Sequence, residues 1–128
     1  MVKNSHTSDL IQGLYQQLKP IFESSEQSIY IYLDDSNKVC NKKFASLLNY
    51  ASPDEWAKTP GNFPSLFVDD KSQQILVKTF QLAMEKMVAS SIKVTWKTKS
   101  GQKIDTNVIL VPINFQGHNF AMHFISKI

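Results

Sequence analysis

An α+β fold, with an antiparallel sheet and helices on one face, is predicted by three features of the sequence. Strand-like segments lie near both ends of the chain, and the helical segments lie between them. Short polar turns join neighbouring strands within each group, which is the connection antiparallel pairs use. The 128 residues are 42% hydrophobic and 11% aromatic, enough for one domain with a packed interior.

Each element follows from local chemistry. Residues 1–7 are polar and expected to fray, and Ser8-Asp9 is expected to cap a helix opening at Leu10. Leu10, Ile11, Leu14, Tyr15 and Leu18 keep helical spacing, and Pro20 is expected to kink or stop that helix. Its apolar stripe has to cover either its own sheet or the same helix of a second molecule. Ile29 to Leu33 read as a strand, Asp34-Asp35-Ser36-Asn37 as a turn, and Lys38-Val39-Cys40 as a second strand. Asn41 caps a helix over 42–48, and Ser52-Pro53-Asp54-Glu55 opens another that carries Trp56. Thr59 to Pro64 read as an irregular loop. Asp69 or Asp70 opens what reads as the longest helix, to about Val88, with Leu76, Phe80, Ala83 and Met87 as its stripe, widened by Val77 and Met84. The period then changes from 3.6 to 2. Ile92, Val94 and Trp96 alternate with polar neighbours, Ser100-Gly101 turns the chain, and Ile104 to Ile113 form a long strand apolar on both faces in its second half. Asn114 to Gly117 form the last turn and Phe120 to Ile128 the last strand.

Composition narrows the function. The net charge is +3, and all 14 basic residues are lysine. Without the guanidinium fork, and with the lysines dispersed, nucleic acid is not an expected partner. No apolar run reaches the about 18–20 residues needed to cross a bilayer, and no signal-peptide core follows Lys3, so a cytoplasmic protein without a membrane partner is expected. Cys40 is the single cysteine, which excludes an internal disulfide.

The order of elements and three stretches resemble the PAS domain family. Ile29-Tyr-Ile-Tyr-Leu-Asp-Asp-Ser-Asn-Lys-Val39 is similar to its opening hairpin. Asn41-Lys-Lys-Phe-Ala-Ser-Leu-Leu-Asn-Tyr-Ala-Ser-Pro-Asp-Glu-Trp56 is similar to its N-x-x-F…L-L-G-Y…P-E-E segment. Val94-Thr-Trp-Lys-Thr-Lys-Ser-Gly-Gln-Lys-Ile104 is similar to its later hairpin. Asn49 stands where the family usually has glycine, and asparagine tolerates the left-handed conformation. The resemblance covers residues 28–128 and implies a five-stranded antiparallel sheet in the order 2-1-5-4-3, with helices over a pocket. It divides the chain into an N-terminal helical extension, residues 1–24, and a PAS-like sensory domain, residues 25–128.

Members of that family bind haem, flavin or small metabolites, or bind nothing and dimerise. Photoactive flavin members place a cysteine in a helix, whereas Cys40 precedes the first core helix and reads as a structural thiol. Haem members take a histidine from the long helix, which here has none; the histidines are His6, His118 and His123. The cofactor stays unknown, with haem and photoactive flavin disfavoured. No catalytic or metal-binding pattern stands out, and Asp34-Asp35 and Asp69-Asp70 are turn and helix-start chemistry. The candidate pocket lining is Phe80, Met84, Trp96, Asn107 and His123, where Asn107 and His123 are polar groups on an apolar surface that need partners.

The expected function is a non-enzymatic sensory or docking module. It is expected to form a homodimer through residues 8–24 and the outer sheet face, and to act through a signalling partner. The alternative is a pocket enzyme of the nuclear-transport-factor-2 or ketosteroid-isomerase type with Asp105 or His123 as base. The early strand pair at Ile29–Cys40 argues against that alternative.

Overall fold

A computed structural model describes residues 2–128 of the chain, with side chains from Thr7 onward. The elements are α1 (Val2–Ser24), β1 (Ser28–Asp34), β2 (Asn37–Cys40), α2 (Lys42–Leu47), α3 (Pro53–Lys58), α4 (Phe63–Phe67), α5 (Asp70–Lys86), β3 (Ser90–Lys97), β4 (Lys103–Phe115) and β5 (His118–Lys127). The five strands form one sheet in the order β2-β1-β5-β4-β3. Every pairing is antiparallel. Tyr30 lies opposite His123 and Ile29 opposite Phe124, so strands from both chain ends meet at the sheet centre.

Local chemistry sets the joints. Asn41 is buried and caps α2: its Oδ1 accepts from Phe44 N at 3.0 Å and Ile29 N at 3.1 Å, and its Nδ2 donates to Gln27 O at 2.9 Å. One side chain thereby ties the start of β1 to the start of α2. Ser52 caps α3 by accepting from Glu55 N at 3.0 Å. Asn49 adopts φ 65°, the left-handed turn expected of it. Gln116 and Gly117 have φ of 51° and 80°, the pair of positive values that a tight two-residue hairpin requires. The stretch expected as loop ends earlier than anticipated: Asn62 accepts from Ser65 N at 3.1 Å and starts α4, with Pro64 in its first turn.

The sheet is covered on both faces. Helices α2 to α5 lie on the inner face, where Tyr30, Phe44, Trp56, Phe67, Val94, Trp96, Val108 and Ile125 pack together. Helix α1 covers the outer face of its own sheet. Leu10, Ile11, Leu14 and Phe22 pack on Ile29, Ile31, Val39, Phe120 and Met122. The choice left open for the α1 stripe is thus resolved within the chain. Ile109 on β4, opposite half-buried Phe124, stays 46% exposed.

Four expectations need correction. Helix α1 begins at Val2, not Leu10, runs through Pro20 and, with 23 residues against 17, is longer than α5. Pro20 sits in its last turns, where a lost ladder bond weakens little helix beyond it. Residues 2–7, expected to fray, belong to this helix, and the side chain of His6 lies outside the described side chains. The buried stripe of α5 is Ser72, Leu76, Thr79 and Ala83, with Phe80 and Met84 half-buried, while Val77 and Met87 are exposed. Small hydroxyl residues let the helix approach β3 closely: Ser72 Oγ accepts from Thr95 N at 2.9 Å, and Asp69 N donates to Thr95 O at 2.9 Å. Hydropathy does not register that use of serine. Among the described residues no helix is long and apolar enough to cross a membrane.

Truncating Leu14 to alanine should cost about 2–5 kcal/mol of stability, because a buried side chain at the α1–sheet contact is lost. Asn41→Ala should cost about 2 kcal/mol or more by orphaning buried backbone groups. Urea unfolding followed by tryptophan fluorescence measures both. A change under about 0.5 kcal/mol in either variant would contradict the packing described.

Candidate functional site

A cavity of about 250 Å³ lies between α4, α5 and the inner face of β1 and β5. Its composition is graded with depth. Tyr30, Phe63, Leu76 and His123 are buried and form the floor; Tyr32, Asp35, Pro64 and Phe80 are half-buried walls; Asn62, Val77 and Gln81 form an exposed rim. Period-2 alternation along β1 puts Tyr30 and Tyr32 on the same face, and the register with β5 sets Tyr30 against His123. Their rings stack at 3.9 Å with an interplanar angle of 8°. The Tyr32 ring stands edge-on to Phe63 at 5.1 Å and to Phe80 at 5.2 Å.

The floor carries an unsatisfied polar atom. Nδ1 of His123 is buried without a hydrogen-bond partner, a state shared among the described side chains only by Trp56 Nε1. An orphaned buried group costs about 1–3 kcal/mol of stability. Burial pushes the His123 imidazole down to about 3, which keeps it neutral at ordinary pH. Near the rim, Asp35 acts as a latch. Its Oδ1 accepts from Tyr32 OH at 2.9 Å and from Phe63 N at 3.1 Å, joining the β1–β2 turn to α4. Burial and that bond to Asp35 raise the Tyr32 phenol above its ordinary range.

Lys38 supports the turn from below. Its ammonium donates to Asp35 O at 2.7 Å and Ala57 O at 3.1 Å and lies 5.4 Å from the centre of the Trp56 ring. Burial lowers its pKa, against the opposing pull of Asp35 and Asp34. Cys40 is buried nearby, and burial raises its thiol, which makes it unreactive.

Of the five residues anticipated for the pocket, Phe80 and His123 line the cavity. Met84 packs beside Ala83, Leu110 and Ala121, further along α5. Trp96 is wholly buried in the main core, its Nε1 donating to Thr106 Oγ1 at 2.8 Å. Asn107 is exposed on the outer face: Thr106 and Val108 take the inward positions of β4, and a one-residue difference in register reverses a side chain. Sequence reasoning missed Tyr30, Tyr32, Asp35 and Phe63 as lining. The alternation of β1 carried a signal for the two tyrosines, whereas Asp35 and Phe63 meet only through the fold.

No protein-family model matches the chain, and no curated protein matches it. Solved structures match closely in shape. A PAS domain from a two-component sensor histidine kinase superposes with a TM-score of 0.68 at 11% identity, over 91% of this chain and 98% of that one. The PAS domain of a Colwellia psychrerythraea protein gives 0.70 at 17% identity, over 90% and 97%. The PAS domain of the fruit-fly ELK potassium channel gives 0.66 at 16% identity, over 88% and 95%. The chain has the PAS fold. At such identities the likeness extends to the fold and no further.

Within this PAS fold the residues do not fit the larger cofactors that the resemblance brought into view. The sole thiol, Cys40, is not part of the cavity lining. A volume of about 250 Å³ is below the roughly 300–1,000 Å³ usual for drug-sized ligands and suits a smaller molecule. Among the described residues no group of three His, Cys, Asp or Glu side chains is arranged to hold a metal ion.

The depressed His123 pKa has a signed consequence for stability. Between about 3 and the ordinary value of about 6.5, the unfolded chain binds a proton at this position that the folded protein refuses. Stability is therefore full above about pH 6.5 and falls, by on the order of a few kcal/mol, as pH approaches 3. Urea unfolding of the wild type and His123→Gln between pH 4 and 8 measures this, and the variant should show the shallower acid slope. Equal slopes would assign the acid sensitivity to other groups.

Proposed function

We propose that this chain is a sensory PAS-type module that works by binding and not by catalysis, with the cavity beneath α5 as its ligand site. The cavity carries this reading: it opens on the inner face of β1 and β5, with aromatic rings on its walls and the half-buried carboxylate of Asp35 among its lining. A mainly apolar space with a few polar groups is the usual form of a ligand site. The isomerase-type alternative is not favoured, because the strand order β2-β1-β5-β4-β3 is that of the PAS structures.

The signal would leave through a second copy of the chain or a partner protein. For the homodimer, the surface proposed is α1 together with the part of the outer sheet that α1 leaves bare. Ile21 is 47% exposed there and Ile109 is 46% exposed, with half-buried Phe124 opposite Ile109. The buried side of α1 serves its own sheet, so removing residues 1–24 would uncover Ile29, Ile31 and Met122 instead of simply separating two copies.

Two measurements bear on this reading. Native mass spectrometry of protein purified without denaturation should show a small bound molecule, or protein able to take one up with a rise in melting temperature. Sedimentation velocity should show a dimer that Ile109→Asp converts to a folded monomer. A wild type that stays monomeric at high protein concentration removes the dimer from the proposal.

A further inference from the structure

The half-buried walls of the cavity are chemically different from its floor, and the difference identifies a ligand class. Tyr32 and Phe80 stand on the walls, and the Phe63 ring rises beside them from the floor. Tyr32 is steeply inclined to both of the others, at 70° to Phe63 and 86° to Phe80, so their planes face different directions. Asp35 stands among them. Both hydrogen bonds that it accepts through its carboxylate fall on Oδ1, which leaves Oδ2 available to a ligand. The carboxylate forms no ion pair: among the described residues those are Lys99–Glu55 and Lys103–Asp69. The nearby cation, Lys38, spends its ammonium on the carbonyls of Asp35 and Ala57. The neighbouring carboxylate, Asp34, accepts from Asn37 and Ser36.

An unpaired carboxylate beside several aromatic rings attracts a cation twice, through charge and through the negative faces of the rings. An acid ligand would meet the same carboxylate as a repulsion. Below this level the floor is apolar and aromatic apart from the buried imidazole of His123.

We propose that the cavity takes a small aryl-alkyl amine, its ammonium on Asp35 among the rings of Tyr32, Phe63 and Phe80, and its ring on the floor beside Tyr30 and His123. This deepens the proposed function and rests on that reading of the cavity.

The test uses three probes of one body and different charge: tyramine, its neutral alcohol analogue tyrosol, and 3-(4-hydroxyphenyl)propionate. Isothermal titration calorimetry on the full chain at pH 7.5 should rank tyramine above tyrosol by roughly tenfold or more, with the propionate weakest. Asp35→Asn keeps an oxygen that can accept from Tyr32 OH and Phe63 N, so the latch survives while the charge goes. That variant should lose the tyramine preference and leave tyrosol affinity within about twofold. Circular dichroism confirms its fold, and Phe80→Leu, which keeps an apolar wall, should weaken tyramine more than tyrosol. Tyrosol or the propionate binding as well as tyramine, or Asp35→Asn binding tyramine undiminished, would overturn the amine assignment and leave the cavity reading standing. If none of the three probes binds, the amine assignment falls, while the cavity reading falls only if native mass spectrometry also finds no bound molecule and no uptake.

Discussion

The pairing of β1 with β5 is the constraint on which the rest of this molecule depends. It brings residues from the two ends of the chain side by side, with Tyr30 facing His123 and Ile31 facing Met122. Closing so long a loop costs entropy before any contact repays it. The return comes from burial on both faces at once. Ile29, Ile31, Phe120 and Met122 go under α1, and Tyr30, His123 and Ile125 go under α2 to α5. Without that central pair, neither cluster has a surface on which to form.

Polar groups in this interior are mostly handled in full. Asn41 satisfies two backbone amides and one carbonyl where β1 and α2 start. Thr106 accepts from Trp96 and donates to Val94 O at 2.8 Å, so the bulky indole is fixed by the strand opposite. His123 is handled differently. It is held by stacking on Tyr30, its Nδ1 buried and unpaired, and it lines the cavity on the aromatic face of β1. Interiors that satisfy nearly all their polar atoms make such an exception informative. The same contrast distinguishes Lys38, whose ammonium is fully engaged with carbonyls and an indole face, from Asp35, whose carboxylate is half engaged.

Much of the architecture was legible before any coordinates. Short-range signals did this: Asn41 and Ser52 before helices, Asn49 at a left-handed position, Gly117 in a tight turn, and a change of period after α5. Each depends on atoms within four or five residues, so local sequence contains the whole cause. The resemblance to the PAS family then supplied the strand order, which local signals do not encode. The candidate site was legible in part. Phe80 and His123 were named from their segments, while Asn107 was placed on the wrong face, because the alternation of β4 leaves its phase to the strands beside it.

The chain's own residues were sufficient to set where the capped helices α2 and α3 begin, that the sheet has an outer face needing cover, and that the chain carries no arginine. Those properties follow from capping chemistry, hydrophobic period and composition, all of them local or additive. The three-dimensional arrangement settled which cover the outer face receives, which side of α5 is buried, and that Asp35, Phe63, Phe80 and His123 surround one space. These depend on packing between segments far apart in the chain. Serine and threonine at a close helix–strand approach, or an aspartate latched to a distant amide, have no periodic signature to announce them.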